Sequence, residues 1–393
     1  MPDRLFIIAC YVVVANFGYA ALQVWLLQHR PSSPRWLGVC VCLWAAVMSS
    51  LSVLQLYGAA SWEPAVRHYL YFPMAVEMAW NVLLLQLLVP AMILAALFVR
   101  LRRRASPAPS PDGAGLTRRQ FLYLAGCGAA PVFATSLGLH GYLTRDDMRL
   151  RSFDIPVAGL PPGLEGFTIA HVSDLHAGVF VGPRRLKIMT DMTNDLKADL
   201  VVVTGDLINF GIDEFPDALA AIQRLESRHG LYLSEGNHDV IPGPGLVLHA
   251  CRRNRLAMLW NETATLNLGG ARLLIGGLPW LAPGPDTPSR LVTDLFPARA
   301  PGDVRILLAH HPHFFDVSDQ VDLLLSGHTH GGQIMFGDVG LGNLRFKYNS
   351  GRFHRGNMTM IVNNGCGDWF PCRIGAPAEV GLLRLTKAAS AAT

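Results

Sequence analysis

Leu200-Val201-Val202-Val203 is a run of four apolar, mostly β-branched residues, closed by Thr204-Gly205-Asp206. Such a run has no polar face to give to water, so it predicts a strand buried on both sides, as in a parallel sheet covered by helices. Gly205 lets the backbone turn sharply and leaves Asp206 at the strand's carboxyl end, where open α/β sheets keep their chemistry. A lone Gly-Asp is also an ordinary turn or helix cap. Its weight here comes from other strands that end in complementary side chains.

Phe167–Val172 reads as a strand and runs into Ser173-Asp174-Leu175-His176. Residues at i and i+2 of an extended segment project to one side, so Asp174 and His176 are expected to grip one metal ion together. Crossover helices are expected over 183–196, with Pro183 early in the helix, and over 213–227. Strand 230–234 ends in Glu235-Gly236-Asn237-His238-Asp239. Shorter strands follow over 271–276, 304–309 and 321–325; the second ends in His310-His311-Pro312-His313 and the third in Ser326-Gly327-His328-Thr329-His330. His328 and His330 repeat the i, i+2 spacing, between glycines that let the backbone approach whatever the imidazoles hold. A single histidine is more often structural than a ligand, but five strand ends of this kind are not coincidence. Carboxylate, imidazole and amide oxygen without thiolate suit manganese, iron or zinc.

The hydrophobic excess of the 393-residue chain, 51% apolar overall, is concentrated in its first third. Stretches 5–27, 36–57, 70–99 and 121–143 have the length and apolarity of transmembrane helices, making residues 1–145 a membrane region. Arginines cluster in the Arg- and Pro-rich loop 100–120, which is therefore expected in the cytoplasm, with everything after the fourth stretch exported. Arg118-Arg119-Gln120-Phe121-Leu122 resembles a twin-arginine export signal and reads equally as a basic flank of the fourth stretch. Glu77 lies in or near the third stretch and reads either as a functional intramembrane carboxylate or, because the stretch is longer than a span needs, as an interfacial residue, the second being favoured.

Cys366 and Cys372 are close enough in sequence for a disulfide in an exported domain, or are two free thiols. The net charge of +4 owes much to the arginine loop and identifies no partner. No basic and aromatic tract appears in the exported half, so no nucleic acid is expected.

Taken together, Asp174-x-His176, Gly205-Asp206, Gly236-Asn237-His238-Asp239, His310 and Gly327-His328-Thr329-His330 resemble the five motifs of the calcineurin-like metallophosphoesterases, over roughly Gly166 to Leu385. With the apolar N-terminal stretches and Arg-Arg-x-Phe-Leu, the chain is similar to the membrane-anchored branch that includes bacterial phosphodiesterases and animal transmembrane metallophosphoesterase proteins. The resemblance implies an α/β fold, a four-layer sandwich of two packed mixed β-sheets flanked by helices over residues 151–388, preceded by the N-terminal helical membrane domain.

It also implies two divalent metal ions (manganese, iron or zinc). Asp174, His176 and His330 would hold the first, Asn237, His310 and His328 the second, and Asp206 both. His311 competes with His310. His238 would act as general acid with Asp239 orienting its ring, and a metal-bridging hydroxide would attack phosphorus in line. Gly365-Cys366-Gly367 and Arg373 resemble the segment that closes the family's site, with Arg373 a candidate substrate contact.

The function so implied is a metal-dependent phosphoric ester hydrolase, favouring phosphodiesters, in the inner membrane with its catalytic domain exported. Its location suggests a phospholipid or lipid-linked substrate. A phosphomonoesterase of the same fold and a non-catalytic metal- or phosphate-binding receptor are the alternatives.

Overall fold

The computed structural model describes residues 13–14, 16–21, 24, 35–57, 73, 76–77, 79–81, 132–178, 180–281 and 290–388. The chain divides into two compact units, Met1–Leu143 and Thr144–Thr393.

In the first unit the described residues are helical, the longest segment being α1, Arg35–Tyr57. Tyr19, Met48, Val76, Trp80 and Ala134 form a buried apolar cluster. Among the described residues no helix is long and apolar enough to cross a membrane. Most of the expected stretches 5–27 and 70–99, residues 121–131 of the fourth stretch, and the whole of loop 100–120 lie outside the described residues.

The second unit is built on two six-stranded mixed sheets. Its strands are β1 Met148–Val157, β2 Thr168–Val172, β3 Leu200–Thr204, β4 Leu231–Ser234, β5 Ala257–Met258, β6 Glu262–Leu268, β7 Ala271–Gly277, β8 Asp303–Leu308, β9 Leu323–Ser326, β10 Met335–Phe336, β11 Val339–Gly340, β12 Gly351–Arg355, β13 Met358–Val362 and β14 Ala378–Lys387. One sheet has the order β1-β14-β2-β3-β4-β5, the other β12-β13-β9-β8-β7-β6, and β10 and β11 form a small hairpin. Strands β2 to β5 are parallel to one another, as are β7, β8, β9 and β13. Their carboxyl ends therefore line up along one edge of each sheet.

Side-chain alternation stacks the sheets. Ile169, Leu200 and Val202 of the first share a core with Leu273, Ile275, Ile306, Leu323 and Ile361 of the second. The neighbouring Ala170 and Val201 face the other way, against Leu196 and Ala198 at the end of helix α2, Pro183–Asp195. On the far side of the second sheet, Leu274, Leu307, Leu324 and Met360 are covered by Val292, Phe296, Phe314 and Phe315. Complete burial of β3 explains its apolar run, since each buried Val or Leu contributes about 1.5–3 kcal/mol.

The first crossover helix matches its expected bounds. The second is shorter: a 3-10 turn at Ile212–Glu214 leads into α3, Phe215–Ile222, because Glu214 bonds the amides of Asn209, Phe210 and Gly211 and shapes a tight entry.

Candidate metal centre

Five strands deliver their following residues to one place: Asp174 and His176 after β2, Asp206 after β3, Asn237 and His238 after β4, His310 after β8, and His328 and His330 after β9. They form three overlapping groups whose donor atoms lie within 4.8 Å of one another: Asp174, His176 and His330; His176, Asp206 and His238; Asp206, His310 and His328. Asn237 joins the third, its Oδ1 lying 2.7 Å from His328 Nδ1 and 3.2 Å from His310 Nε2.

The local backbone differs from the extended geometry expected of the i, i+2 pairs. Asp174 (φ 52°), His176 (46°), Asp206 (52°), His328 (71°) and His330 (52°) all adopt left-handed conformations, which cost about 1–3 kcal/mol each for non-glycine residues. Interlocking loops hold them there. The amides of Asp174 and His176 donate to the carbonyls of Gly205 and Asp206, at 3.1 and 3.0 Å, and the His328 amide donates to the Asp174 carboxylate at 3.1 Å. Asp174 and His176 still converge, but His328 and His330 diverge into different groups. The glycines make room for protein, not ligand: a side chain at Gly327 would strike Ser173 and Asp174, and one at Gly205 would come within 2.6 Å of His310.

The electrostatics suit a divalent cation. Burial pushes His328 down to about 3, with His310 adding to the effect, and pushes His176 well below its usual value. Burial would raise the carboxyls of Asp174 and Asp206, but surrounding imidazoles outweigh it and hold both low. Burial alone would lower His310, but the Asp206 and Asp174 carboxylates outweigh it and push that imidazole up to about 10, so a cation bound there would take the place of its proton. With that exchange, imidazole nitrogens and ionised carboxylate oxygens converge in a buried space, the donor set of a manganese, iron or zinc site. Asp206 Oδ2 lies 3.1 Å from His310 Nε2 and 3.6 Å from His176 Nε2, between the flanking groups.

Two role assignments change. The His238 ring is held at Nδ1 by the carbonyl of Asn209, not by Asp239. Asp239 is fully buried and accepts the amides of Leu207 at 2.8 Å and Gly236 at 2.9 Å, so it shapes the loops that carry Asp206 and Asn237. Arg373 is not free to meet a substrate. It is 2% exposed, pairs with Asp368, donates to the carbonyls of Asn364, Gly365, Gly367 and Ala376, and lies 3.3 Å from His330 Nδ1. Cys366 and Cys372 are free, buried thiols.

His310, not His311, enters the cluster. His311 packs outside it, its ring 4.6 Å from that of His328. Sequence reasoning missed Asn209, whose Oδ1 lies 3.2 Å from His176 Nδ1, and Trp280, whose ring lies 5.2 Å from that of His328. Asn209 carries no signal beyond being a polar residue inside an apolar loop. Trp280 follows β7, an expected strand whose end carries no ligand-type residue. Half-buried Phe210, Trp280 and Phe346 border the rings of His238 and His328. In a separate cavity of about 700 Å³ near the opposite ends of β8, β9 and β13, Arg299 pairs with Asp322 and Arg355 with Asp319, while Arg305 donates to Gln320 and to the Pro297 carbonyl.

The model of the calcineurin-like phosphoesterase family matches residues 167–332, a range that holds every member of the cluster. An uncharacterized metallophosphoesterase of Bacillus subtilis is 31% identical over 289 residues, covering 69% of this chain and 98% of that one. The chain belongs to the calcineurin-like phosphoesterases. The family's name describes metal-dependent hydrolysis of phosphate esters. An uncharacterized metallophosphoesterase of Helicobacter pylori is 31% identical, covering 54% of this chain and 58% of that one. A Bos taurus transmembrane protein with metallophosphoesterase domain is 29% identical, covering 60% and 56%. The chain spans less than two thirds of the length of these last two relatives.

Proposed function

We propose that this metallophosphoesterase is a membrane-anchored, dinuclear phosphodiesterase acting on a phospholipid or lipid-linked envelope ester, with its catalytic unit on the exported side. The observation that carries the dinuclear reading is the position of Asp206 Oδ2 between His176 and His310, each belonging to a further group of donors. Asp174, His176 and His330 would hold one ion, Asn237, His310 and His328 the other, with Asp206 shared. Bound divalent ions supply Lewis acidity at the phosphoryl group and neutralise its developing charge.

The chain's own residues do the rest. His238 is half-buried, on the open side of the cluster, and its Nδ1–H donates to the Asn209 carbonyl. That fixes the tautomer and leaves Nε2 to exchange a proton with the leaving oxygen. Phe210, Trp280 and Phe346 give the approach apolar walls, which suits an ester carrying a second organic substituent. The anchor reading rests on the apolar N-terminal sequence and on relatives named as transmembrane proteins. The lipid reading follows from the anchor.

The test is hydrolysis by the full chain in detergent of an aryl phosphodiester, the matching monoester, and envelope lipid extracts. The reading expects the diester to turn over faster than the monoester, with metal-dependent headgroup release from lipid. Equal or faster monoester turnover would favour a phosphomonoesterase, and metal binding without turnover would favour a phosphate-binding receptor.

A further inference from the structure

The N-terminal unit holds a buried polar network that the hydrolase chemistry does not use. Glu77 is 2% exposed, as buried as the apolar side chains around it. Its Oε1 accepts from Ser52 Oγ and from Asn81 Nδ2. Behind Asn81 the chain continues: Asn16 Nδ2 donates to Asn81 Oδ1 at 3.3 Å, and Trp80 Nε1 donates to Asn16 Oδ1 at 2.7 Å.

Ser52 Oγ also lies 2.9 Å from the Met48 carbonyl and 3.1 Å from Asn81 Nδ2, which donates to it, but the line of links from Trp80 runs in one direction. Trp80 donates to Asn16, Asn16 to Asn81 and Asn81 to Glu77, so the dipoles polarise one another and end on the carboxylate. Such a chain stabilises negative charge on Glu77. Its second oxygen, Oε2, is buried with no hydrogen-bond partner among the described residues. Ser49, one helical turn before Ser52 on α1, also has a buried hydroxyl without one. A buried carboxylate left uncompensated costs several kcal/mol, and no described Lys, Arg or His forms an ion pair with it. In the adjoining apolar cluster the titratable side chain among the described residues is Tyr19, edge-on to Trp80 at 5.2 Å.

We propose that Glu77, with Ser52, Asn81 and the donor chain behind them, forms a binding site for a single monovalent cation, a proton or an alkali-metal ion, in the N-terminal helical unit. The donors fix Oε1 and leave Oε2 to take the cation. A network serving only to pack helices would satisfy both oxygens, whereas here Ser52 and Asn81 both meet Oε1, and Oε2 is buried with no partner among the described residues. Within a membrane-associated helical unit, a buried ionisable side chain is the expected mark of such a site. The inference does not depend on the substrate of the phosphoesterase unit.

The test is infrared difference spectroscopy on the full chain in detergent, perturbed in two separate arms: acidification at constant salt, and exchange of choline chloride for sodium or potassium chloride at constant pH. A proton site gives a carboxyl C=O band on acidification. An alkali-metal site gives a shift of the carboxylate bands with sodium or potassium. Either signal must disappear in Glu77→Gln, which keeps the shape of the side chain, and move in frequency in Ser52→Ala, which leaves the carboxylate but removes one donor. If neither arm gives a wild-type signal, or if the signal persists unchanged in Glu77→Gln, the proposal is overturned.

Discussion

The Nε2 atoms of His176 and His330, 154 residues apart in sequence, lie 3.0 Å from each other. Asp174 Oδ1 lies 3.1 Å from the second of them and 3.9 Å from the first. Two neutral imidazoles that close repel through their lone pairs unless one carries a proton or both share a cation. Both histidines adopt left-handed backbone conformations, and the loop hydrogen bonds around them, such as that from the His176 amide to the Asp206 carbonyl, keep them in place.

Metal should therefore stabilise the folded protein by mass action, because ligands drawn from five separate strands are assembled only in the native state. Dialysis against a chelator is expected to lower the melting temperature of the phosphoesterase unit, and restoring manganese, iron or zinc to recover it. His330→Ala should lower the bound-metal content measured by elemental analysis, whereas His311→Ala should leave it unchanged.

His238 is expected to act on the leaving group, not to hold the fold. His238→Ala should reduce kcat by about 10²–10⁴-fold with metal content retained. The loss should be smaller for substrates with strongly acidic leaving groups, which need no proton. A uniform loss across leaving groups would point to positioning instead.

Asp368 is fully buried between Arg185 and Arg373. Burial pushes its carboxyl up, but the two guanidiniums outweigh it and hold it at about 2, below the ordinary 3.8. For a depressed carboxyl the stabilisation is complete above the unfolded value and is lost as pH falls from 3.8 toward about 2. Asp368→Asn leaves two buried guanidiniums without their carboxylate and should cost about 3–5 kcal/mol at neutral pH. Its urea-melt stability should also fall less steeply than that of the wild type between those two pH values.

Burial pushes the Cys366 and Cys372 thiols up to about 12. Neither should react with an aromatic disulfide reagent in the folded protein at neutral pH, and both should react in denaturant. Mass spectrometry without reductant should show no bond between them.

What was legible in the sequence was the pattern of strands ending in ligand-type residues, because an apolar run followed by Gly-Asp or Gly-His leaves few alternatives. Residue spacing alone did not give the wiring between strand ends; the grouping of His330 with Asp174 and His176, and of His328 with Asn237 and His310, came only from the family resemblance. Extended spacing put His328 and His330 on one side, whereas the turn after Gly327 separates them. The motif gave His238 to Asp239, but the polypeptide brings the Asn209 carbonyl to that ring and uses Asp239 to hold two amides. Arg373 read as a substrate group because a loop arginine near a site has that use, and only tertiary contacts reveal its internal partners. The burial of Glu77 was not legible, because the length of an apolar stretch does not show which of its residues pack against other helices.

The central claim is that Asp206 joins two metal positions in a hydrolytic site. It is tested most directly by measuring bound metal and aryl phosphodiester turnover together in the full wild-type chain and in Asp206→Asn, with and without prior chelation. The account predicts close to two metal equivalents and metal-dependent turnover in the wild type, with turnover abolished and metal content reduced in Asp206→Asn. Undiminished turnover by Asp206→Asn, or by the chelated wild type, would contradict it.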